Sequence, residues 1–322
     1  MSPAAPAGRP SLAAPRWPWS AVPYREDVFL PELIVPARQI GARHFDFARQ
    51  VAVMAIVNRT PDSFHDKGRT FALEAAVTAT TAAAADGADW IDVGGVPFSP
   101  IAGEVSEAEE IDRVVPVVEA ARSSSDVVIS VDTYRIEVAR RAIAAGADVI
   151  NDTSGLHDPE LADLVAQTGA TLVLTHSLAS PPRTPVVRPS YADVAGDVAA
   201  FLRSRVELAL RRGVAPGQLI IDPGHDLNKN THHSLELTRR LAEITGIGYP
   251  TLVAVSNKDF IGETLDAAQD ERLEGTLAAL VFCVLQGARI VRVHDIRAAV
   301  SAVRMAEAIL GWRQPEYTRH NV

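Results

Sequence analysis

The sequence predicts an α/β fold, a single-domain (β/α)8 TIM barrel, preceded by an N-terminal tail that is disordered or loosely docked. Three observations carry this. A strand-then-helix unit recurs eight times after residue 45. The strand segments are continuous apolar runs, as parallel strands covered on both faces should be. Four of the helix segments finish on Gly-Ala just before the next strand, at Gly87, Gly146, Gly169 and Gly287, where a helix C-cap glycine belongs. Eight such units with right-handed crossovers close into a barrel. A doubly wound open sheet is the competing arrangement, but no Gly-x-Gly-x-x-Gly turn follows the first strand.

In chain order, "VAVMAIVN" (51–58) is a β-branched, apolar run ending on a polar residue, followed by the alanine-rich helix "LEAAVTATTAAAADGA" (73–88). "WIDVGG" (90–95) leads to "SEAEEIDRVVPVVEAARSS" (106–124), and "VVISVDT" (127–133) to "RIEVARRAIAAGA" (135–147). "DVINDTSG" (148–155) precedes "PELADLVAQTGA" (159–170), and "TLVLTHS" (171–177) precedes a helix over 191–213. "LIIDPGHD" (219–226) pairs with "LELTRRLAEITGI" (235–247), and "TLVAVSNKD" (251–259) with "LEGTLAALVFCVLQGA" (273–288). "RIVRVHDI" (289–296) and "AAVSAVRMAEAIL" (298–310) complete the set. These boundaries divide the chain into a tail (1–44) rich in Ala, Pro and Arg, a barrel (45–313) and a C-terminal tail (314–322), with Trp17 and Trp19 as candidates for docking on the body.

Composition narrows the function classes. A net charge of −9 argues against a nucleic-acid partner, which needs a basic face. The longest apolar run, 277–285, is about half the ~20 residues a membrane span requires, so no membrane partner is expected. The single cysteine, Cys283, lies in "LAALVFCVL" and reads as a buried apolar residue. It excludes an intrachain disulfide and suits a reducing, cytoplasmic setting. The helix around it is apolar on nearly its whole circumference, whereas an outer barrel helix buries one stripe. A homodimer is the simplest cover for its other face.

Barrel sites lie at the C-terminal ends of the strands. Those ends carry Asn58, Asp92, Asp132, Asn151, Asp152, His176, Asp222, Lys258, Arg292, His294 and Asp295. Capping explains Asp152 or Asp295 but not Lys258, Arg292 or His294, which are poor N-caps. Two carboxylates, an amide and an ammonium in a narrow mouth suit a flat heterocycle with alternating donors and acceptors. A carboxylate accepts two N–H bonds from an amino-pyrimidinone edge as it does from a guanidinium. His232 and His233 read as solvated loop residues.

The motifs "VNRTPDSF" (57–64), "IDVGG" (91–95), "SVDT" (130–133), "INDTSG" (150–155), "DPG" (222–224), "SNKDFIG" (256–262) and "RVHD" (292–295) occur each at a different strand end. Together they resemble the dihydropteroate synthase family over about 51–310, and within it a divergent, inactive second homologue of the actinobacterial, mycobacterial type. The family joins a dihydropterin methyl diphosphate to p-aminobenzoate, and sulfonamides compete at the aminobenzoate position. The resemblance implies a pterin-like small-molecule ligand held by Asp132, Asn151, Asp222 and Lys258, with Arg292 against the ring. It implies that His294 binds the diphosphate and that Asn58 helps hold Mg2+ on it.

The bond-breaking side departs from the family. Its second loop reads Gly-Gly-Glu-Ser-Thr-Arg-Pro-Gly, where this chain has Val96, Pro97, Phe98 and Ser99 after the glycines. Its Ser-Arg-Lys becomes Ser256-Asn257-Lys258, and Leu227 replaces an aromatic wall. Such losses imply a pocket that survives without the synthase reaction and binds sulfonamide- or sulfone-like ligands weakly. The alternative is an active synthase in which Arg59, Lys67 or Arg69 of the first loop restores the missing charge.

Overall fold

The computed structural model describes residues 29–58, 73–97, 104–180, 182–184 and 188–320. Two short antiparallel strands, β1 (Ala37–Ile40) and β2 (Arg43–Asp46), precede an eight-stranded parallel sheet. Its strands are β3 (Ala52–Asn58), β4 (Trp90–Gly94), β5 (Val128–Asp132), β6 (Val149–Asp152), β7 (Thr171–Thr175), β8 (Leu219–Asp222), β9 (Leu252–Val253) and β10 (Ile290–Val293). The order runs β8-β7-β6-β5-β4-β3-β10-β9. A parallel bridge between Ile221 and Thr251 joins β8 to the start of β9, and the Ile221 N–H donates to the Pro250 carbonyl at 3.1 Å. The sheet therefore closes on itself, and the (β/α)8 expectation is borne out.

Outer helices follow the strands: α1 (Leu73–Ala85), α2 (Glu107–Ser124), α3 (Ile136–Ala145), α4 (Glu160–Thr168), α5 (Val194–Arg211), α6 (Thr231–Arg239), α7 (Ala242–Thr245), α8 (Asp259–Leu265), α9 (Leu273–Leu285) and α10 (Ile296–Ile309). Local chemistry sets their ends. Ser106 and Asp193 accept backbone N–H bonds at the starts of α2 and α5. The four Gly-Ala glycines all adopt positive φ, from 78 to 112°, as a left-handed stop requires.

The wall has two sides because successive strand residues face opposite ways. Val53, Ile91, Ile129, Ile150, Leu172 and Ile221 belong to the core under the helices. Their neighbours Met54, Trp90, Val128, Val149, Val173, Ile220, Leu252 and Ile290 form a second apolar cluster inside the barrel. Ile40, Phe45 and Phe47 belong to that inner cluster, with Phe45 edge-on to Trp90 and stacked on Phe47. The β1–β2 hairpin thus stoppers the N-terminal mouth of the barrel.

Three readings are corrected. The hairpin falls largely within the segment read as tail, whose composition hid two strands of only four residues; Trp17 and Trp19 lie outside the described residues. The helix expected over 235–247 begins earlier and breaks into α6 and α7. His232 and His233 therefore lie in a helical first turn, where Asn230 accepts from the His233 N–H and its own N–H meets His233 Nδ1 at 3.3 Å.

Candidate functional site

The inward parity that carries the apolar cluster turns polar two residues later. Asp92 lies opposite Ser130, Gly94 opposite Asp132, and Asp132 opposite Asn151 across neighbouring strands. Arg292, on β10, lies two residues beyond Ile290. The sequence thus writes an apolar floor and a polar layer above it on the same faces of the same strands.

Asp92 is the hub of that layer. Fully buried, it accepts from Ser130 Oγ at 2.6 Å, Asn151 Nδ2 at 3.1 Å and Arg292 Nε at 2.6 Å. Asp132 lies 3.8 Å from Arg292 Nη2 and accepts from Thr153 Oγ1 at 3.3 Å. It also accepts from Arg183 Nη2 at 2.6 Å. Burial pushes the Asp132 carboxyl up from its ordinary value, against Arg183, which pulls it down. Burial pulls the Arg292 guanidinium down, but Asp92, Asp132 and Asp222 outweigh it and the pKa is raised. Asn151 donates to Asp92, and its buried amide oxygen has no hydrogen bond among the described residues.

The other side of the mouth is basic. Asp222 accepts from the Gly224 N–H at 2.7 Å, and burial pushes its carboxyl up to about 6 against that bond and the nearby Lys258 and Lys229. Lys229 is buried with Nζ 3.0 Å from His176 Nδ1 and donates to the Gly224 and Leu227 carbonyls. Burial lowers it to about 7, although Asp222 and Asp226 oppose the shift. His176, lowered to about 2 by burial and then by Lys229, is a neutral acceptor for that ammonium. Burial also lowers Lys258, with Asp226 opposing; its side chain makes no hydrogen bond among the described residues, while its backbone N–H and carbonyl are both engaged.

The structure brings Asp132, Asn151, Asp222 and Arg292 to one end of the barrel, with Lys258 beside Asp222 electrostatically. Asn58 closes β3, and its Oδ1 is 3.2 Å from where a Cβ on Gly94 would stand, which explains a glycine there. The His294 N–H donates to Ser256 Oγ at 3.2 Å. Asp152 buttresses a turn, accepting from the Ser154 and Leu156 N–H groups, and Asp295 makes no side-chain cap for α10.

Among the altered positions, Asn257 adopts φ 56°, a left-handed backbone that asparagine tolerates better than most residues. Its N–H meets Thr276 Oγ1 at 3.1 Å, and its Oδ1 accepts from the same hydroxyl at 3.3 Å, so it is tied to α9. Leu227 is half-buried, and its carbonyl serves Lys229. Val96 presents its carbonyl to Arg183 Nη1 at 2.7 Å. Phe98 and Ser99, and Arg59, Lys67 and Arg69, lie outside the described residues.

Sequence reasoning misses Lys229 and Arg183, and the central role of Asp92. Asp92 was visible as a strand-end acid, but nothing marked it as the hub. Lys229 stood in a familiar stretch without a signal of its burial. Arg183 is the only charged residue in "LASPPRTPVV" (178–187), which is the one hint it offered.

The pterin binding enzyme family matches residues 54–294. The Mycobacterium leprae protein named inactive dihydropteroate synthase 2 is 47% identical over 271 residues, covering 83% of this chain and 93% of that one. The Yersinia pestis dihydropteroate synthase, solved with a sulfonamide drug complex, superposes with a TM-score of 0.80 at 36% identity, covering 86% of this chain and 100% of that one. The Xanthomonas albilineans dihydropteroate synthase in complex with 7,8-dihydropteroate gives a TM-score of 0.76 at 35% identity, covering 85% and 99%.

Proposed function

The chain belongs to the pterin-binding enzyme family, and from that premise we infer that it is a dihydropteroate synthase homologue that keeps a pterin-type pocket and has lost the synthase reaction. One observation carries the reading: the polar layer around Asp92 is complete, while the loop that should bring positive charge to a departing diphosphate begins Val96-Pro97-Phe98-Ser99. The M. leprae relative bears a name of the same sense.

In this reading Asp222 accepts the amino and ring N–H groups of the pterin, Asn151 offers its unbonded oxygen, and Lys258 donates to the ring carbonyl. Asp132 takes a further ring N–H, Arg292 lies against the face, and His294 meets the phosphate end. Asn58 is a hard oxygen donor, and no group of three or more His, Cys, Asp or Glu able to hold a metal occurs among the described residues. That set fits magnesium carried on a diphosphate rather than a dedicated cage. The ion would neutralise phosphate charge, with Asn58 as the side chain contributed by the protein.

Calorimetry with 6-hydroxymethylpterin tests the pocket. Saturable binding that Asp222→Ala abolishes is expected; equal binding by that variant would overturn the assignment. The same titration has a defined pH dependence. Only ionised Asp222 accepts two N–H bonds, so affinity holds above the carboxyl's pKa of about 6 and weakens below it. At pH 5 it should be about tenfold lower than on the plateau. A flat profile from pH 8 to 5 would remove Asp222 from ring recognition.

The protein is also proposed to be a homodimer. α9 and α10 pack side by side, and they leave Phe282 41%, Met305 60% and Ile309 71% exposed. Apolar side chains grouped in this way suit a symmetric interface. Ile309→Glu is expected to convert a dimer to a monomer by sedimentation; an unchanged mass would place the interface elsewhere.

A further inference from the structure

The side chain that fills the ring-recognition layer is the chain's own. Arg183, from the segment after β7, donates Nη2 to Asp132 at 2.6 Å and Nη1 to the Val96 carbonyl at 2.7 Å. Its Nη2 also lies 3.5 Å from Thr153 Oγ1. The guanidinium carbon sits 5.7 Å from the Tyr134 ring centroid, and Arg135 lies against the same ring at 5.7 Å. Arg135 is itself fixed, donating to Glu110 and to the Val105 carbonyl. Only 9% of the Arg183 side chain is exposed. Its backbone is held at φ 62°, a left-handed conformation that is uncommon for any residue other than glycine.

The chemistry of this contact is that of a ligand. A guanidinium presents planar N–H donors, as the ring N–H edge of a pterin does, and one such donor satisfies the Asp132 carboxylate whichever of them brings it. Charge points the same way. Asp92 and Asp132 share Arg292, which binds Asp92 at 2.6 Å and stands 3.8 Å from Asp132. Arg183 supplies the second cation that a buried pair of carboxylates lacks. A neutral pterin brings donors to Asp132 but no positive charge, so it replaces a buried ion pair with a weaker contact.

We propose that Arg183 is an intramolecular occupant of the ring site, a specificity-determining residue that a pterin must displace from Asp132 before it seats. This rests on the pterin-pocket reading above. The contact with the Val96 carbonyl ties it also to the residue just beyond β4 where the altered second loop begins. Affinity for a neutral ring is then reduced by the fraction of molecules in which Asp132 is taken.

Titration of wild type and Arg183→Ala with 6-hydroxymethylpterin separates the possibilities. The variant is expected to bind about tenfold more tightly, the gain that follows when the guanidinium holds Asp132 in roughly nine of ten molecules. Equal or weaker binding by the variant, with the wild type still binding, overturns self-occupancy and leaves the pocket reading standing. No saturable binding by Arg183→Ala at all overturns both. Wild-type protein supplies an independent readout that needs no variant. Trypsin should cut the Arg183–Thr184 bond faster when 6-hydroxymethylpterin is saturating, because displacement releases the guanidinium. Slower or unchanged cutting there, with pterin bound, goes against the proposal.

Discussion

Incubated with 6-hydroxymethyl-dihydropterin diphosphate, p-aminobenzoate and magnesium, the protein is expected to turn over roughly four orders of magnitude more slowly than an ordinary dihydropteroate synthase. Breaking the methylene–diphosphate bond gathers negative charge on the leaving oxygens. Preorganised cations lower that barrier, and losing one such donor typically costs about 3–4 kcal/mol. Two arginines of the family are replaced here, at Ser99 and Asn257. Partial additivity of the two losses gives the stated deficit. Asn257 carries a neutral amide in place of the lost cation, and its Oδ1 is engaged by Thr276 rather than free to meet a phosphate. Ser99→Arg with Asn257→Arg should raise the rate, at a backbone cost of roughly 1 kcal/mol for a long side chain at a left-handed position. Full activity in the unaltered protein would show that another cation has taken over the clamp.

The second large effect concerns stability. Asp92→Ala should destabilise the fold by about 3 kcal/mol, because it removes the 2.6 Å partner of the buried Arg292 and leaves that charge only the more distant Asp132. Ser130 Oγ and Asn151 Nδ2 lose their acceptor at the same time. That is a large share of the ~5–15 kcal/mol that holds a typical domain. Denaturant titration should show a lower midpoint with little change in slope. Asp92→Leu combined with Arg292→Met removes both charges together, and is expected to cost less than Asp92→Ala alone. A double variant as unstable as the sum of its parts would mean that the pair contributes packing rather than charge balance.

The fold was legible because barrel strands and their helices write their burial directly into the residues: runs such as "VVISV" and closing glycines at Gly146 or Gly169 leave few alternatives. The hairpin was not legible, since strands of four residues with charged outward positions, as in Arg43-His44-Phe45-Asp46, leave no long pattern. The strand-end residues Asp132, Asn151, Asp222 and Arg292 could be found because parity and position place them together. Arg183 could not, because its place is fixed by contacts with Asp132 and the Val96 carbonyl that lie far from it in the sequence. Ion pairing between residues 51 apart has no local signature. The same holds for Lys229 and His176, whose partnership at 3.0 Å joins two separate strand-to-helix connections.

Phe45, Phe47 and Ile40, wedged under Trp90 and Met54, make the barrel a blind tube. A ligand could reach the polar layer only from the opposite end, past the strand-to-helix connections that carry Val96, Leu227 and Asn257. Passage of ligands and support of the fold are thereby separated. Edits at the rim can change which molecules are admitted, how long they stay and whether they react, while the staves and their bottom remain untouched.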